Sequence, residues 1–136
     1  MKSQLFRIER STCNQNFVYG NCCSMAISQA AKVNEIDIVI RSGYDFKEGC
    51  TIEECTKLIQ HYLNKDIKYI PNTKRIKLRT FVEKFNKKQI IVSFSEHIAY
   101  FNKGIFYDDF MYLAFKYNIK EDISHLKEIE GWWIIK

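Results

Sequence analysis

The hydrophobic pattern of this chain changes its period near residue 89, and that change constrains the fold more than any other feature. Before it, apolar residues recur at helical spacing over residues 22–32, 52–63 and 78–86. After it, residues 89–94 and 97–101 are β-rich, and Asn102-Lys103-Gly104 signals a hairpin that returns over residues 105–107. N-terminal helices followed by a C-terminal antiparallel β-sheet predict an α+β fold.

Other segments add shorter elements to this outline. Thr51 and Glu54 have the spacing of a capping box at the start of the second predicted helix. The apolar residues of segment 35–42 fit a short helix, and a strand is the alternative there. We also predict a short strand within residues 1–12, a strand over 67–70, helices over 111–117 and 123–127, and a last strand over 132–135.

Length and composition limit the classes of protein to which this chain can belong. The 136 residues, of which 46% are hydrophobic, predict a single folded domain over residues 1–136. The sequence has no run of about 18 apolar residues and no signal-peptide pattern, so we expect no membrane association and a cytoplasmic location. An odd count of five cysteines then predicts free thiols. The net charge of +5 is modest, and a solvated basic face over residues 65–88 explains it better than a nucleic-acid partner does.

A cysteine stands at the predicted start of a helix that is poor in charge. Gly20 and Asn21 form the turn and the N-cap, and Cys22 follows them. The partial positive charge of a helix N-terminus stabilises a thiolate, which is the nucleophilic form of cysteine. Cys23 points about 100 degrees away from Cys22 around the helix. We therefore expect Cys22 to face a cleft and Cys23 to pack inward.

A histidine and a carboxylate flank the predicted hairpin. His97 begins its first strand, where the imidazole could take the proton of the thiol and pass it to a leaving group. A turn at Asn102-Lys103 puts Asp108 opposite His97, and a turn at Lys103-Gly104 puts it on the diagonal. A three-residue loop puts Asp109 opposite His97 instead. The residue pattern therefore does not choose between Asp108 and Asp109 as the group that orients His97. For the oxyanion hole, the candidates are the backbone N–H of Cys22 and the side chains of Gln15 and Asn16.

Several of these segments together resemble a known family. They are the Gly20-Asn21-Cys22 helix start, the Gly49-Cys50-Thr51 turn, the helix over residues 78–85, and residues 91–108. In the last segment Gly104 follows His97 after seven residues and Asp108 follows it after eleven. Over residues 14–110 the chain resembles the small papain-like cysteine peptidases of bacteriophages and mobile elements. The resemblance implies a papain-like fold with Cys22 as nucleophile, His97 as base and Asp108 as the residue that orients the base.

The hypothesis is a cysteine hydrolase, a peptidase or an isopeptidase or amidase, that acts on a protein or peptide through a thioester intermediate. The hydrolase would work in the cytoplasm. If a phage encodes the chain, this is the cytoplasm of the host cell. The alternative is an inactive papain-like binding module that targets a host protein. We expect neither a metal nor another cofactor, because Cys50 and Cys55 lack the spacing of zinc ligands. The sequence makes no prediction of the oligomeric state.

Overall fold

The structure, a computed structural model, describes residues 7–10, 22–42 and 50–135. Six strands lie within these residues: β1 (Arg7–Glu9), β2 (Tyr69–Pro71), β3 (Gln89–Phe94), β4 (His97–Asn102), β5 (Ile105–Tyr107) and β6 (Ile129–Ile134). Six helices lie there as well: α1 (Cys22–Ala31), α2 (Glu35–Ser42), α3 (Ile52–Tyr62), α4 (Leu78–Lys84), α5 (Asp109–Lys116) and α6 (Lys120–Leu126). The α+β class is therefore confirmed. The helix predicted over 35–42 is present, and the strand alternative is wrong.

The six strands form one sheet in the order β1-β5-β4-β3-β6-β2. The prediction of an antiparallel sheet holds for four of the five strand pairings and is wrong for the fifth, because β1 runs parallel to β5. A parallel neighbour needs a long connection, and the chain between β1 and β5 provides one. The strand predicted over 67–70 begins at Tyr69 and includes Pro71, which an edge strand tolerates because its outer N–H groups need no partner.

Helices cover both faces of the sheet, and each face has its own apolar core. In β3, Ile90 and Val92 point to the core beneath α4, α5 and α6, whereas Ile91 points to the core beneath α1, α2 and α3. This alternation is the period of two that a strand imposes on its side chains. Trp132 and Trp133 divide between the two cores in the same way, so β6 contributes a large aromatic side chain to each.

The predicted capping box at the start of α3 is confirmed. The Thr51 hydroxyl accepts a hydrogen bond from the Glu54 backbone N–H at 3.1 Å, and the Glu54 carboxylate accepts one from the Thr51 backbone N–H at 3.0 Å. Two N–H groups that have no partner within the helix are thereby satisfied, which fixes where α3 begins. None of the described helices is long and apolar enough to cross a membrane.

Gly131 allows β2 and β6 to pack closely against each other. A methyl group at Gly131 would lie 2.3 Å from the Tyr69 ring and 2.6 Å from the Ile70 carbonyl oxygen. We expect Gly131→Ala to lower the free energy of unfolding by about 1–3 kcal/mol, the usual range for overpacking a filled site. Urea denaturation monitored by tryptophan fluorescence would measure this loss. A variant as stable as the parent would contradict the close packing of Tyr69 on Gly131.

Candidate active site

Cys22 is the first residue of α1 and lies at the surface of a cleft. Its side chain is partly exposed, whereas that of Cys23 is 2% exposed and belongs to the core beneath α1, α2 and α3. The expected division between an outward Cys22 and an inward Cys23 is therefore present. The first turn of α1 carries no acidic residue, so no carboxylate there opposes a thiolate at the helix N-terminus. Gly20 and Asn21, the predicted turn and N-cap, lie outside the described residues.

His97 and Asp108 form a buried hydrogen-bonded pair. His97 Nε2 lies 2.7 Å from Asp108 Oδ2, and both side chains are almost fully removed from solvent. The same Oδ2 atom accepts a hydrogen bond from the Met111 backbone N–H at 2.9 Å, which makes Asp108 the N-cap of α5. The Asp108 carboxylate therefore orients the His97 imidazole, and the N-terminus of α5 in turn fixes the Asp108 carboxylate.

The turn of the β4–β5 hairpin brings Asp108, and not Asp109, to His97. Tyr100 pairs with Tyr107 and Asn102 pairs with Ile105, which leaves Lys103-Gly104 as the two-residue turn. Both turn residues have positive φ, 50° and 91°, as the tight hairpin turns of this type require. This is the second of the three registers considered from the sequence. Asp109 turns away and its carboxylate lies 3.3 Å from Arg10 Nε.

The His97 imidazole interacts with Cys22 as well as with Asp108. Burial lowers the pKa of His97, but the charge and hydrogen bond of Asp108, followed by the hydrogen bond and charge of Cys22, outweigh burial and raise that pKa to about 10. Because Nε2 faces Asp108, the remaining nitrogen, Nδ1, is the atom left to meet the thiol. At neutral pH His97 is therefore an imidazolium, the form that stabilises a thiolate and can protonate a leaving group.

Three further side chains, none of them predicted from the sequence as a site residue, support this arrangement. The His97 ring lies beside two aromatic rings, with centroid distances of 4.5 Å to Phe110 and 6.4 Å to Phe94. Phe94 pairs with His97 across the two-residue β3–β4 turn, which the sequence could have indicated. Gln29 of α1 donates a hydrogen bond to the Tyr107 carbonyl at 2.5 Å and so ties the Cys22 helix to the strand end before Asp108.

The cleft beside Cys22 has a volume of about 300 Å³. Cys50, Thr51, Ser93 and Glu130 line it, together with residues near the β3–β4 turn. The pairing of β3 with β6 shifts here from Ser93–Gly131 to Phe94–Ile129, which leaves Glu130 as an extra residue in the ladder. The Ser93 hydroxyl donates to the Glu130 carboxylate at 3.2 Å, so this bulge supplies one wall of the cleft.

Other predicted site residues have different outcomes. Gln15 and Asn16, the candidate side chains of the oxyanion hole, lie outside the described residues. The backbone N–H of Cys22 is in the first turn of α1, where such groups have no partner within the helix. In the part of the chain that the structure describes, no group of three or more His, Cys, Asp and Glu side chains is arranged to hold a metal ion.

Comparison with known proteins adds no relative. No protein-family model matches the chain, no curated protein is similar to it, and no solved structure matches it.

Proposed function

We propose that this chain is a papain-like cysteine hydrolase that cleaves an amide or isopeptide bond of a protein or peptide through Cys22, His97 and Asp108. One observation carries the proposal: the buried His97 imidazole is hydrogen-bonded to the Asp108 carboxylate, and it lines the same cleft as the partly exposed thiol of Cys22. A nucleophile, a base and a group that orients the base form the arrangement by which such bonds are broken.

In the first half of the reaction, the Cys22 thiolate attacks the carbonyl carbon of the scissile amide and forms a tetrahedral intermediate. In this proposal the backbone N–H of Cys22 donates a hydrogen bond to the oxygen that gains negative charge. The intermediate collapses as the C–N bond breaks, and the His97 imidazolium gives its proton to the leaving amine. The acyl group is then bound to Cys22 as a thioester.

In the second half, neutral His97 takes a proton from a water molecule as that water attacks the thioester carbonyl carbon. The C–S bond breaks, a carboxylic acid leaves, and the Cys22 thiolate and His97 imidazolium are restored. Asp108 accepts a hydrogen bond from the ring throughout, which keeps the imidazole oriented and favours its charged form.

Labelling with an acyloxymethyl ketone tests this proposal directly, because such a probe reacts with a thiolate and is assisted by a neighbouring imidazolium. We expect an adduct at Cys22, mapped by mass spectrometry, and His97→Ala should slow its formation by about 10²-fold or more. The absence of an adduct at Cys22, or labelling of Cys22 that is unchanged in His97→Ala, would contradict the proposal. That result would favour the alternative, an inactive binding module that targets a host protein.

The pH dependence of turnover provides a second test. Because the pKa of His97 is raised to about 10, the imidazolium persists across neutral pH and is lost only as the pH rises through that value. We expect kcat/KM for an amide substrate to stay level from pH 8 to 9 and then to fall about tenfold per pH unit above about pH 10. A fall that begins near pH 7 would mean that Asp108 and Cys22 do not keep His97 protonated.

A further inference from the structure

Three cysteines meet beside the cleft, in addition to Cys22. Cys23 of α1 and Cys55 of α3 are both buried, and their sulfur atoms lie 2.9 Å apart. Cys50, just before the N-cap of α3, packs against the apolar cluster that contains both of them and lines the cleft with a partly exposed side chain. The proposed hydrolase reaction uses none of these three thiols.

The three thiols differ sharply in acidity. Hydrogen bonds from Cys23 and then from Cys55 lower the pKa of Cys50 to about 4, against the opposing effects of partial burial and of the Glu54 charge. Hydrogen bonds with Cys50 and Cys55, followed by burial, raise the pKa of Cys23. For Cys55, the hydrogen bond with Cys23 lowers the pKa, but the one with Cys50 together with burial raises it overall. One accessible thiolate is therefore held by two buried thiols that retain their protons.

We propose that Cys50 is an oxidation site for small hydroperoxides and that Cys23 or Cys55 captures its oxidised form as a disulfide. Reactive cysteines of this kind combine thiolate character, exposure and a nearby resolving thiol. Cys50 has the first two properties. Cys23, which lines the same cleft, and Cys55, whose sulfur atom lies 2.9 Å from that of Cys23, provide the third. The inference is independent of the proposed hydrolase function, because it requires nothing of Cys22 or His97.

The chemistry proceeds in two balanced steps. The Cys50 thiolate attacks one oxygen of the hydroperoxide, the O–O bond breaks, and the products are a Cys50 sulfenic acid and an alkoxide or hydroxide, which takes a proton from water. The sulfur of Cys23 or Cys55 then attacks the sulfenic sulfur. An S–S bond forms, the S–O bond breaks, and the oxygen leaves as water with the thiol proton. The hydroperoxide is reduced by two electrons and the two cysteines are oxidised to the disulfide.

A disulfide with Cys23 would link the wall of the cleft to the residue next to Cys22. Cys23 belongs to α1 and Cys50 precedes α3, so this bond would link the two helices covalently. A disulfide between Cys50 and Cys55 would instead link the residue before the N-cap of α3 to the first turn of α3. Either bond removes the exposed thiolate from the cleft.

The test uses the full chain with Cys13→Ser and Cys22→Ser, which leaves three of the five cysteines. Hydrogen peroxide is added in slight excess at pH 7, remaining thiols are blocked with N-ethylmaleimide, and peptides are mapped without reduction. We expect a loss of two thiols per chain and a disulfide that joins Cys50 to Cys23 or to Cys55. Dithiothreitol should restore all three thiols.

Two variants make the result decisive. In Cys23→Ser/Cys55→Ser the hydroxyl groups can still donate hydrogen bonds to Cys50, but the sulfenic acid has no thiol partner, so dimedone should label Cys50, and circular dichroism checks that the chain is folded. Cys50→Ser should form no disulfide at the peroxide concentration that oxidises the parent. A Cys23–Cys55 disulfide that forms at the parental rate in Cys50→Ser would overturn the proposal, and so would peroxide treatment of the parent that leaves Cys50 unmodified.

A measurement without peroxide separates Cys50 from an ordinary thiol. Iodoacetamide reacts with the thiolate, so an ordinary cysteine loses about 10³-fold in rate between pH 8 and pH 5. Cys50 should lose less than tenfold over this range in the same chain. A loss as large as that of an ordinary cysteine would mean that the two buried thiols do not stabilise a thiolate at Cys50.

Discussion

Cys22→Ser should lower turnover of an amide substrate by about four to six orders of magnitude, which is the cost of removing the nucleophile from a catalytic triad. Serine preserves the size and position of the side chain at the start of α1, but its hydroxyl does not ionise beside an imidazolium. Cys22 is partly exposed, so the change leaves the packing of the core intact. Initial rates of peptide hydrolysis measure the effect, and urea denaturation checks that the fold is retained.

Cys23→Ala is the matched control for this prediction. Cys23 is the adjacent cysteine of the same helix, and its side chain is buried in the core. Its removal should cost stability but leave probe labelling at Cys22. If Cys22→Ser retained turnover while Cys23→Ala lost it, the nucleophile would be Cys23, and the assignment of Cys22 would be wrong.

Asp108→Asn should lower turnover by about 10⁴-fold with little loss of stability. The amide removes the charge that, with its hydrogen bond, holds His97 in its protonated form, so the alkaline fall in kcat/KM should also move to lower pH. The amide oxygen can still accept from the Met111 backbone N–H, so the cap of α5 survives. Initial rates as a function of pH and urea denaturation measure the two effects separately.

Two comparisons separate catalysis from helix capping at this position. Asp108→Ala removes the cap as well, and it should lower the free energy of unfolding by about 0.5–2 kcal/mol relative to Asp108→Asn. Asp109→Asn changes the neighbouring carboxylate, which faces Arg10, and should leave the pH profile of turnover unchanged. Parental activity in Asp108→Asn would reduce the role of Asp108 to that of an N-cap.

Helices and caps that depend on nearby residues were predictable from the sequence. The order in which the strands pair in the sheet was not. The capping box at Thr51 and Glu54 and the helical period of α3 depend only on nearby residues, and both are present. The parallel pairing of β1 with β5 and the place of β6 between β3 and β2 depend on contacts between segments far apart in the chain. The same alternating pattern fits an edge strand or a central strand, so it cannot choose between them.

The residues of the candidate site likewise fall into a group that the sequence indicates and a group that only packing brings together. Cys22 and His97 were identifiable because their chemistry and local context mark them in the sequence. The choice between Asp108 and Asp109 depended on one residue of turn length, which the glycine and asparagine pattern does not determine. The contacts of Phe110 and Gln29, and the meeting of Cys23, Cys50 and Cys55, arise from packing between separate elements and have no local signal.

The interior position of β6 in the sheet has a consequence for how the chain is made. β6 lies between β3 and β2, and its two tryptophans complete the cores on both faces of the sheet. A nascent chain that has not yet released residues 129–134 from the ribosome exit tunnel therefore cannot close either core, although α1 and the β4–β5 hairpin are already outside. Translation that stops before this point leaves the sheet incomplete, exposes apolar side chains to chaperones and proteases, and yields a polypeptide in which Cys22 and His97 have no stable scaffold.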